Sequence, residues 1–448
     1  MWLGEFFTGQ IGGVMDYTTA AIICVAVMFL LLLLGMPIAW ALGFSSITVG
    51  LIAFGPAALQ KIGWTTFHLL YNLLWTPLPL FTLMACIIAE TSIGEDLYRA
   101  ARNWLSRVPG GLIVASVFGE AGMAAALGAS APTILAVGKV AVPEFERYHY
   151  DRGLSLGALL CGGVLGPLIP PSTTMIIYSV LTNVPLGRLF IAGIVPGIIL
   201  ALMLAMTAVV LCIRNPALAG TKVEKISWAE RFSSLKRVWP VVLVGCSVLG
   251  SIYLGVATPT EAGGFGCFIV LIVAVALFKF RLKGLYRAMI DAALLNAMLL
   301  LIFVAAVFFT YVVGSSNMAQ YLATLIKSLN IAPILVIVSI QVILLILGCF
   351  IDGITIMLLT IPLFTPIAQA LGFDLLWFGV LYVTNMEIGL ITPPMGINLF
   401  LVRNAFNIPT GELIRGTLPF IVVLVLFLVV TVAFPELSTW LPALMKGR

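Results

Sequence analysis

The chain has 448 residues and a formal net charge of +5, and 62% of its residues are hydrophobic while only 9% are charged. A soluble domain carries about 25% charged residues, so this composition excludes a soluble protein. The long apolar runs exclude a membrane β-barrel, whose strands show short alternating segments. The sequence therefore predicts an all-α, polytopic membrane protein.

The first quarter of the chain begins with apolar segments and ends with an amphipathic one. Spanning helices are predicted at Tyr17 to Leu34, at Ile38 to Phe54 and at Thr65 to Ala89, the last kinked by two prolines. Glu95 to Arg107 mixes basic with apolar residues and is predicted to lie along the membrane interface. No cleavable signal peptide is expected, because the first seventeen residues contain no basic segment.

Two apolar segments are interrupted near their centres and are predicted to be re-entrant helical hairpins. The first is Gly111 to Val142, with its tip at Ser130 to Thr133. The second is Ile331 to Leu371, with its tip at Asp352 to Thr355. Each tip carries small polar side chains, which are typical of backbone that turns within protein rather than in lipid.

Each predicted hairpin is followed by an apolar segment that contains a double proline. Pro170-Pro171 lies within Leu154 to Asn183, and Pro393-Pro394 lies within Leu375 to Val402. Two successive prolines remove two backbone donors and push the preceding residue out of the helical region. Both segments are therefore predicted to be transmembrane helices broken within the bilayer. In transporters, such breaks are where substrates and coupling ions bind.

Hairpin and broken helix recur as an internal repeat at an offset of 223 residues. The anchors that superpose without a gap are Pro143 on Pro366, Asp151 on Asp374, Gly166 on Gly389, Pro170 and Pro171 on Pro393 and Pro394, Gly193 on Gly416, and Pro196 on Pro419. Arginines flank the first hairpin, whereas Lys327 alone is near the second. By the positive-inside rule the two hairpins enter from opposite sides, so the repeats are predicted to be inverted.

The remaining segments complete the topology. Further spans are predicted at Pro185 to Ile213, Val238 to Val256, Ala288 to Val313 and Thr417 to Phe434, with one helix beginning at the sequence Thr258-Pro259-Thr260-Glu261 and an interfacial segment at Gly314 to Asn330. Thr258 or Thr260 is expected to cap its helix, and Glu261 is expected to be structural. Alternating the spans puts eighteen basic residues on one side and five on the other. The first side is predicted to be cytoplasmic, with both termini outside.

A broken helix offers carbonyl groups suited to Na⁺ at one end and N–H groups suited to a carboxylate at the other. One Na⁺ is predicted in each repeat, between the hairpin tip and the broken helix. The candidate ion ligands are Ser130, Thr133, Gly166, Pro170 and Ser172 in the first repeat and Asp352, Gly353, Thr355, Gly389 and Thr392 in the second. The candidate substrate-binding residues are Ser172, Thr173, Thr174, Met395, Gly396 and Asn398.

Three alternatives remain open. The small polar residues could serve only to satisfy backbone groups that the breaks set free. An intramembrane enzyme would need a catalytic pair, yet neither His68 nor His149 is placed near a break and Asp352 has no evident aspartate partner. A channel would not need re-entrant hairpins in two inverted halves. Two further acidic residues, Glu120 and Glu387, lie deep in apolar segments and have no assigned role.

Four motifs resemble those of the large membrane subunit of tripartite ATP-independent periplasmic (TRAP) transporters. They are Gly166 to Ser172, Thr258 to Ala262, Asp352-Gly353, and Gly389 to Leu399, and the resemblance covers nearly the whole chain. It implies an elevator-type Na⁺ symporter for organic anions such as C4-dicarboxylates, other carboxylates or sialic acids. It also implies two partners, a small four-helix membrane subunit and a periplasmic substrate-binding protein, and a location in the bacterial inner membrane.

On this resemblance the chain is divided into four regions. Residues 1–110 form scaffold helices and an interfacial arm, 111–213 the first transport repeat, 214–330 a cytoplasmic loop, scaffold helices and a second arm, and 331–448 the second transport repeat. A stand-alone Na⁺/carboxylate symporter of the same architecture is the alternative. Since metal-type spacings and Walker motifs are absent, we expect no transition metal, no cofactor other than Na⁺ as the coupling ion, no nucleic-acid partner and no enzyme activity.

Overall fold

A computed structural model describes residues 17–221, 226–278, 280–314 and 331–445, and every regular element within these ranges is a helix. The helices of the first half are α1 (Tyr17–Leu33), α2 (Ile38–Phe54), α3 (Ala57–Leu70), α4 (Pro77–Ala89), α5 (Ile93–Leu105), α6 (Gly111–Leu127), α7 (Ser130–Arg147), α8 (Arg152–Gly162), α9 (Leu165–Leu168), α10 (Thr173–Thr182) and α11 (Leu186–Arg214). Those of the second half are α12 (Trp228–Tyr253), α13 (Pro259–Phe278), α14 (Leu282–Gly314), α15 (Pro333–Gly348), α16 (Gly353–Ala370), α17 (Leu375–Ile391), α18 (Ile397–Phe406), α19 (Thr410–Ala433) and α20 (Glu436–Ala443).

Six of the described helices are long and apolar enough to cross a membrane, and the number rises to eight if each of two bent pairs counts as one span. The predicted class, an all-α polytopic membrane protein, is confirmed. The predicted span Thr65 to Ala89 is instead two helices, because α4 begins anew at Pro77, a position where proline is favoured. The predicted interfacial segment at 314–330 lies outside the described residues after Gly314.

The described residues group into two compact units. The first comprises the residues up to Leu73, those from Leu295 to Val336, and Met357–Gly372. In this unit α1 packs on α2, and Gly50 of α2 faces the ring of Phe308. The second unit comprises Leu74–Leu294, Ile337–Ile356 and the residues from Phe373 onward, so it contains the first hairpin and both double-proline segments. The predicted domain boundaries at residues 110, 213 and 330 stay predictions.

The first hairpin turns at Gly128 and Ala129, two residues before its predicted tip. Gly128 has φ +65° and ends α6 by donating its N–H to the Ala124 carbonyl, a left-handed cap that glycine favours. Ser130 is already helical and begins α7. Pro132 is tolerated there because the first turn of a helix leaves its N–H groups without partners inside the helix.

Residues related by the offset of 223 have the same structural roles. Asp151 caps α8 by accepting the Leu154 N–H at 2.7 Å, and Asp374 caps α17 by accepting the Leu376 N–H at 2.7 Å. In the first repeat α8 is followed by the short helix α9, which ends at Leu168 just before its double proline, and in the second α17 ends at Ile391 just before its own. A new helix, α10 or α18, begins after each double proline. In the first repeat the two halves are bent by 43°. Both predicted breaks are therefore confirmed.

The two broken helices run antiparallel within the second unit. Arg152, at the start of α8, donates from Nη2 to the Phe406 carbonyl at the end of α18 at 2.7 Å. Tyr178 of α10 donates its hydroxyl to the Leu375 carbonyl at the start of α17 at 2.8 Å. The start of the second broken helix thus lies beside the end of the first, and the start of the first lies beside the end of the second. The predicted inversion of the repeats is confirmed by these contacts.

Glycines allow very close helix crossings around the broken helices. A Cβ added to Gly416 of α19 would lie against the Gly153 carbonyl, and one added to Gly157 of α8 would lie 2.6 Å from the Thr417 nitrogen. The repeat-related Gly193 of α11 faces the Leu168 carbonyl of α9 in the same way. The anchors Gly193 and Gly416 are therefore explained by backbone contacts that only glycine permits.

The amphipathic helix α5 packs on α6 and α12. Arg102 forms an ion pair with Glu144 of α7 at 3.2 Å and donates to the Tyr148 hydroxyl at 3.2 Å. Asp96 approaches Arg237 of α12 at 3.7 Å. Burial raises the pKa of Asp96, and the Arg237 charge offsets part of that effect. Polar contacts as well as apolar packing thus hold α5 against the rest of the second unit.

The helix α13 begins with a capping box formed by Thr258 and Glu261. The Thr258 hydroxyl accepts the Glu261 N–H at 3.3 Å, and the Glu261 carboxylate accepts the Thr258 N–H at 2.7 Å. Of the two predicted candidates, Thr258 is the cap, and Glu261 is structural as expected.

Replacing Thr258 by alanine is expected to lower the stability of the chain by about 1 kcal/mol, because the Glu261 N–H loses its side-chain acceptor and the Glu261 carboxylate loses the Thr258 hydroxyl as a donor. Thermal unfolding of the detergent-solubilised protein measures the effect. Thr260→Ala is the matched control, two residues away and outside the capping box. Equal melting temperatures for the two variants would contradict the assignment.

Candidate functional site

The tip of the first hairpin is docked on the first helix break. Thr173 donates both its backbone N–H and its hydroxyl to the Gly128 carbonyl, each at 3.1 Å. A Cβ at Gly128 would lie against the Pro171 carbonyl, and one at Gly166 would lie 2.6 Å from the Ala129 carbonyl. Hairpin and broken helix therefore meet backbone to backbone, which brings oxygen atoms from both close together.

The second hairpin meets the second break in the same manner. Gly396 donates its N–H to the Cys349 carbonyl at 3.2 Å, and Gly396 is the residue that the repeat offset places on Thr173. A Cβ at Gly348 would lie 2.7 Å from the Gly389 Cα. Asp352 accepts the Thr355 N–H at 3.1 Å and also the Thr355 hydroxyl. The second junction thus holds a carboxylate directly at the hairpin tip.

A hydrogen bond joins the two junctions. Asn398, at the start of α18 in the second repeat, donates from Nδ2 to the Ser130 hydroxyl oxygen of the first hairpin at 3.0 Å. Asn398 is 4% exposed and Ser130 is 7% exposed. The Ser130 hydroxyl also lies within interaction range of the Glu387 carboxylate of α17. A predicted ion ligand and a predicted substrate ligand are therefore direct neighbours.

The other predicted ligands are mostly buried at the same two junctions. Thr133, Ser172 and Thr355 are fully buried, Thr174 is 6% exposed, and Pro170 is buried in the first break. Gly353 is buried against Met386 of α17. Met395 differs, because its side chain is 52% exposed. The predicted roles of all these residues as ligands stay predictions.

Several of the predicted hydroxyls satisfy backbone groups. Thr133 donates to the Ala129 carbonyl at 2.7 Å, Thr392 donates to the Ile388 carbonyl at 2.6 Å, and Ser172 accepts the Met175 N–H at 3.2 Å. A hydroxyl that donates its proton in this way still presents its oxygen lone pairs. Backbone satisfaction and cation binding are therefore compatible at these residues.

Helix starts at both breaks provide N–H groups for an anion. Ser172 caps α10, and Gly396 precedes α18, so the first turns of both helices lie directly after the double prolines. Such turns present partial positive charge and free donors. Because the same breaks also expose carbonyl oxygens, each junction has groups for a cation and for a carboxylate side by side.

Sequence reasoning missed three features of the site. Gly128 begins the interruption of the first apolar segment but was not selected as a site residue, although a glycine before Ala129 is a recognisable helix-ending signal. Asn385 of α17, fully buried, donates to the backbone carbonyl and to the side-chain oxygen of Gln341 in α15 at 2.7 and 2.6 Å. Glu387 was noted without a role, and no local signal connects it with Ser130, which is 257 positions away.

Within the described ranges, no group of three or more histidine, cysteine, aspartate or glutamate side chains could hold a metal ion. Any cation at the two junctions would depend on single carboxylates with hydroxyl, amide and carbonyl oxygens. Oxygen ligands of this kind suit a hard monovalent cation.

Inverted repeats, two helices broken within the membrane, and polar groups at the breaks define a membrane transporter rather than an enzyme. Comparison with known proteins is consistent with this class. The fold is similar to that of the YdaH transporter of Alcanivorax borkumensis, with a TM-score of 0.62 at 15% sequence identity, covering 93% of this chain and 98% of that one.

The profile of the family described as "Tripartite ATP-independent periplasmic transporter, DctM component" matches residues 25–437. The chain is 32% identical to the C4-dicarboxylate TRAP transporter large permease protein DctM of Pseudomonas aeruginosa, covering 90% of this chain and 93% of the relative. It is 28% identical to the sialic acid TRAP transporter large permease protein SiaM of Vibrio cholerae, covering 93% and 97%. The chain belongs to the DctM family of TRAP transporter large permeases, as its motifs predicted.

Proposed function

We propose that this chain is the large permease subunit that carries an organic anion across the bacterial inner membrane, driven by a Na⁺ gradient. The observation that carries the proposal is the pair of matched junctions, in which a hairpin tip is hydrogen-bonded to a broken helix in each inverted repeat. Binding sites for substrate and ions lie at such interruptions in secondary transporters.

Each junction is proposed to bind one Na⁺. Carbonyl oxygens that the breaks leave outside helices, together with the hydroxyls of Ser130 and Ser172, are the ligands at the first junction. Asp352 and Thr355 take the same role at the second. The carboxylate of the substrate is proposed to lie near Asn398 and the N–H groups at the starts of α10 and α18, where a bound cation would compensate its charge.

The substrate class is an organic anion, namely a C4-dicarboxylate, another carboxylate or a sialic acid. Support comes from the names of the relatives, which are described as C4-dicarboxylate and sialic acid transporters. We propose that a periplasmic binding protein delivers the anion and that a small four-helix membrane subunit completes the transporter. Movement of the two junctions together as a rigid body would be an elevator-type mechanism.

Asp352→Asn is expected to reduce Na⁺-driven uptake on the order of tenfold at low Na⁺ concentration, because it removes the negative charge of the second site while an amide still caps the helix. Uptake of radiolabelled succinate and sialic acid is measured in proteoliposomes that contain the chain, its small subunit and its binding protein. Asp374→Asn is the control, since Asp374 only caps α17.

Uptake that is independent of Na⁺ in the wild-type protein, or a variant at Asp352 that retains the full Na⁺ response, would contradict the proposal. Uptake by the same preparation without the binding protein distinguishes a TRAP permease from a stand-alone Na⁺/carboxylate symporter. A stand-alone symporter would transport the anion unaided, whereas a TRAP permease would lose uptake.

A further inference from the structure

We propose that Glu387 supplies the charged ligand of the cation at the first junction, so that this site is built from both repeats. The inference rests on the proposed Na⁺ coupling and extends it to a residue whose role neither the sequence nor the family assignment provides. It concerns three side chains: Glu387 of α17, Ser130 of α7 and Asn398 of α18.

Burial and missing contacts single out Glu387. Its side chain is 3% exposed, and its Oε2 has no hydrogen-bond partner among the residues that the structure describes. The Ser130 hydroxyl lies within interaction range of the carboxylate and accepts the Asn398 amide at 3.0 Å. Taking an ionised carboxylate out of water is costly unless an opposite charge accompanies it. A cation beside Ser130 would provide that charge.

The internal repeat explains why a carboxylate must come from elsewhere. The second hairpin has Asp352 at its tip, within hydrogen-bonding distance of Thr355. Shifting by 223 residues places Ala129 at the corresponding position of the first hairpin, so the tip of that hairpin has no acidic residue. Position 164, which corresponds to Glu387, is a valine. Each junction thus acquires one carboxylate, from its own hairpin in one case and from the opposite repeat in the other.

A second buried glutamate provides a matched comparison. Glu120 of α6 is fully buried, and neither of its carboxylate oxygens has a hydrogen-bond partner in the described part of the chain. It packs against Gly162 of α8. No hydroxyl or amide among the described residues is hydrogen-bonded to it, so it lacks the hydroxyl neighbour that Glu387 has in Ser130. Glu120→Gln therefore makes the same chemical change outside the proposed site.

The experiment titrates the purified full-length chain with NaCl against choline chloride at constant ionic strength and follows its thermal unfolding. A ligand at concentration c that binds only the folded state stabilises it by RT ln(1 + c/Kd), so the unfolding temperature rises once the Na⁺ concentration exceeds the Kd and continues to rise with its logarithm. Glu387→Gln keeps the shape of the side chain and removes its charge. We expect it to raise the Na⁺ concentration at which the unfolding temperature begins to rise roughly tenfold or more, whereas Glu120→Gln should respond as the wild type does.

In the Asp352→Asn variant the proposed Na⁺ site of the second junction is weakened, so the remaining Na⁺ response reports on the first junction. That response should disappear when Glu387→Gln is added. If Glu387→Gln fails to fold, as judged by size-exclusion chromatography, Ser130→Ala takes its place and should weaken the same response.

A Na⁺ response that Glu387→Gln leaves unchanged would overturn the inference, and so would an equal loss in Glu120→Gln, because it would mark a general effect of buried acids. Absence of any Na⁺ response in the wild-type protein would instead overturn the proposed Na⁺ coupling as a whole. The two failures are thereby distinguishable.

Discussion

Gly416→Ala is expected to destabilise the chain by about 3 kcal/mol, because the new methyl group would lie against the backbone carbonyl of Gly153. Backbone cannot move aside as a flexible side chain can, so α8 and α19 would have to separate. These two helices pack on each other over an extensive contact within the second unit. Thermal unfolding in detergent and the yield of monodisperse protein measure the effect.

Gly411→Ala is the control for this prediction. Gly411 lies in the same helix, α19, and a Cβ there would meet nothing within 4 Å. Alanine in an exposed helical position should stabilise by roughly 0.5–1 kcal/mol through backbone entropy alone. If the two variants shifted the unfolding temperature in the same direction, the close crossing of α8 and α19 would be refuted.

Gly128→Ala is expected to abolish most uptake while leaving a folded protein. Two costs add at this residue: the left-handed backbone at φ +65° costs an alanine about 1 kcal/mol or more, and the Cβ would lie against the Pro171 carbonyl. Relief of that clash requires the hairpin tip to leave the break, with loss of the two hydrogen bonds from Thr173. Proteoliposome uptake and Na⁺-dependent unfolding both measure the result.

The control for Gly128 separates backbone strain from the clash. Gly372 has φ +82°, and a Cβ there would meet nothing within 4 Å. Gly372→Ala should therefore show only the conformational cost and retain Na⁺-dependent uptake. Retention of full uptake by Gly128→Ala would show that docking of the hairpin tip on the break is not needed for transport.

Features that depend on local chemistry were predictable from the sequence. The double prolines marked both breaks because proline removes backbone donors wherever it occurs. The offset of 223 identified Asp151 and Asp374, which the structure shows to be equivalent helix caps. The capping residue Thr258 was one of two candidates, and only the hydrogen bonds of the folded helix decide between them.

Features that depend on contacts distant in sequence were not predictable. Ser130 and Asn398 were assigned to different ligands, yet they form a direct hydrogen bond across 268 positions. The turn of the first hairpin is a different case, because the left-handed cap at Gly128 that ends α6 two residues earlier than expected is a local signal that was not used. A pattern of polar residues locates such a tip only approximately, since the helix end is fixed by the glycine and by what packs against it.

The antiparallel broken helices are hydrogen-bonded to each other near both ends. Arg152 donates to the Phe406 carbonyl, and Tyr178 donates to the Leu375 carbonyl. The bond between Asn398 and Ser130 adds a tie to the first hairpin at the level of the breaks. Sliding of one broken helix along the other would break the two bonds that join them directly. These contacts therefore oppose independent sliding of the two broken helices.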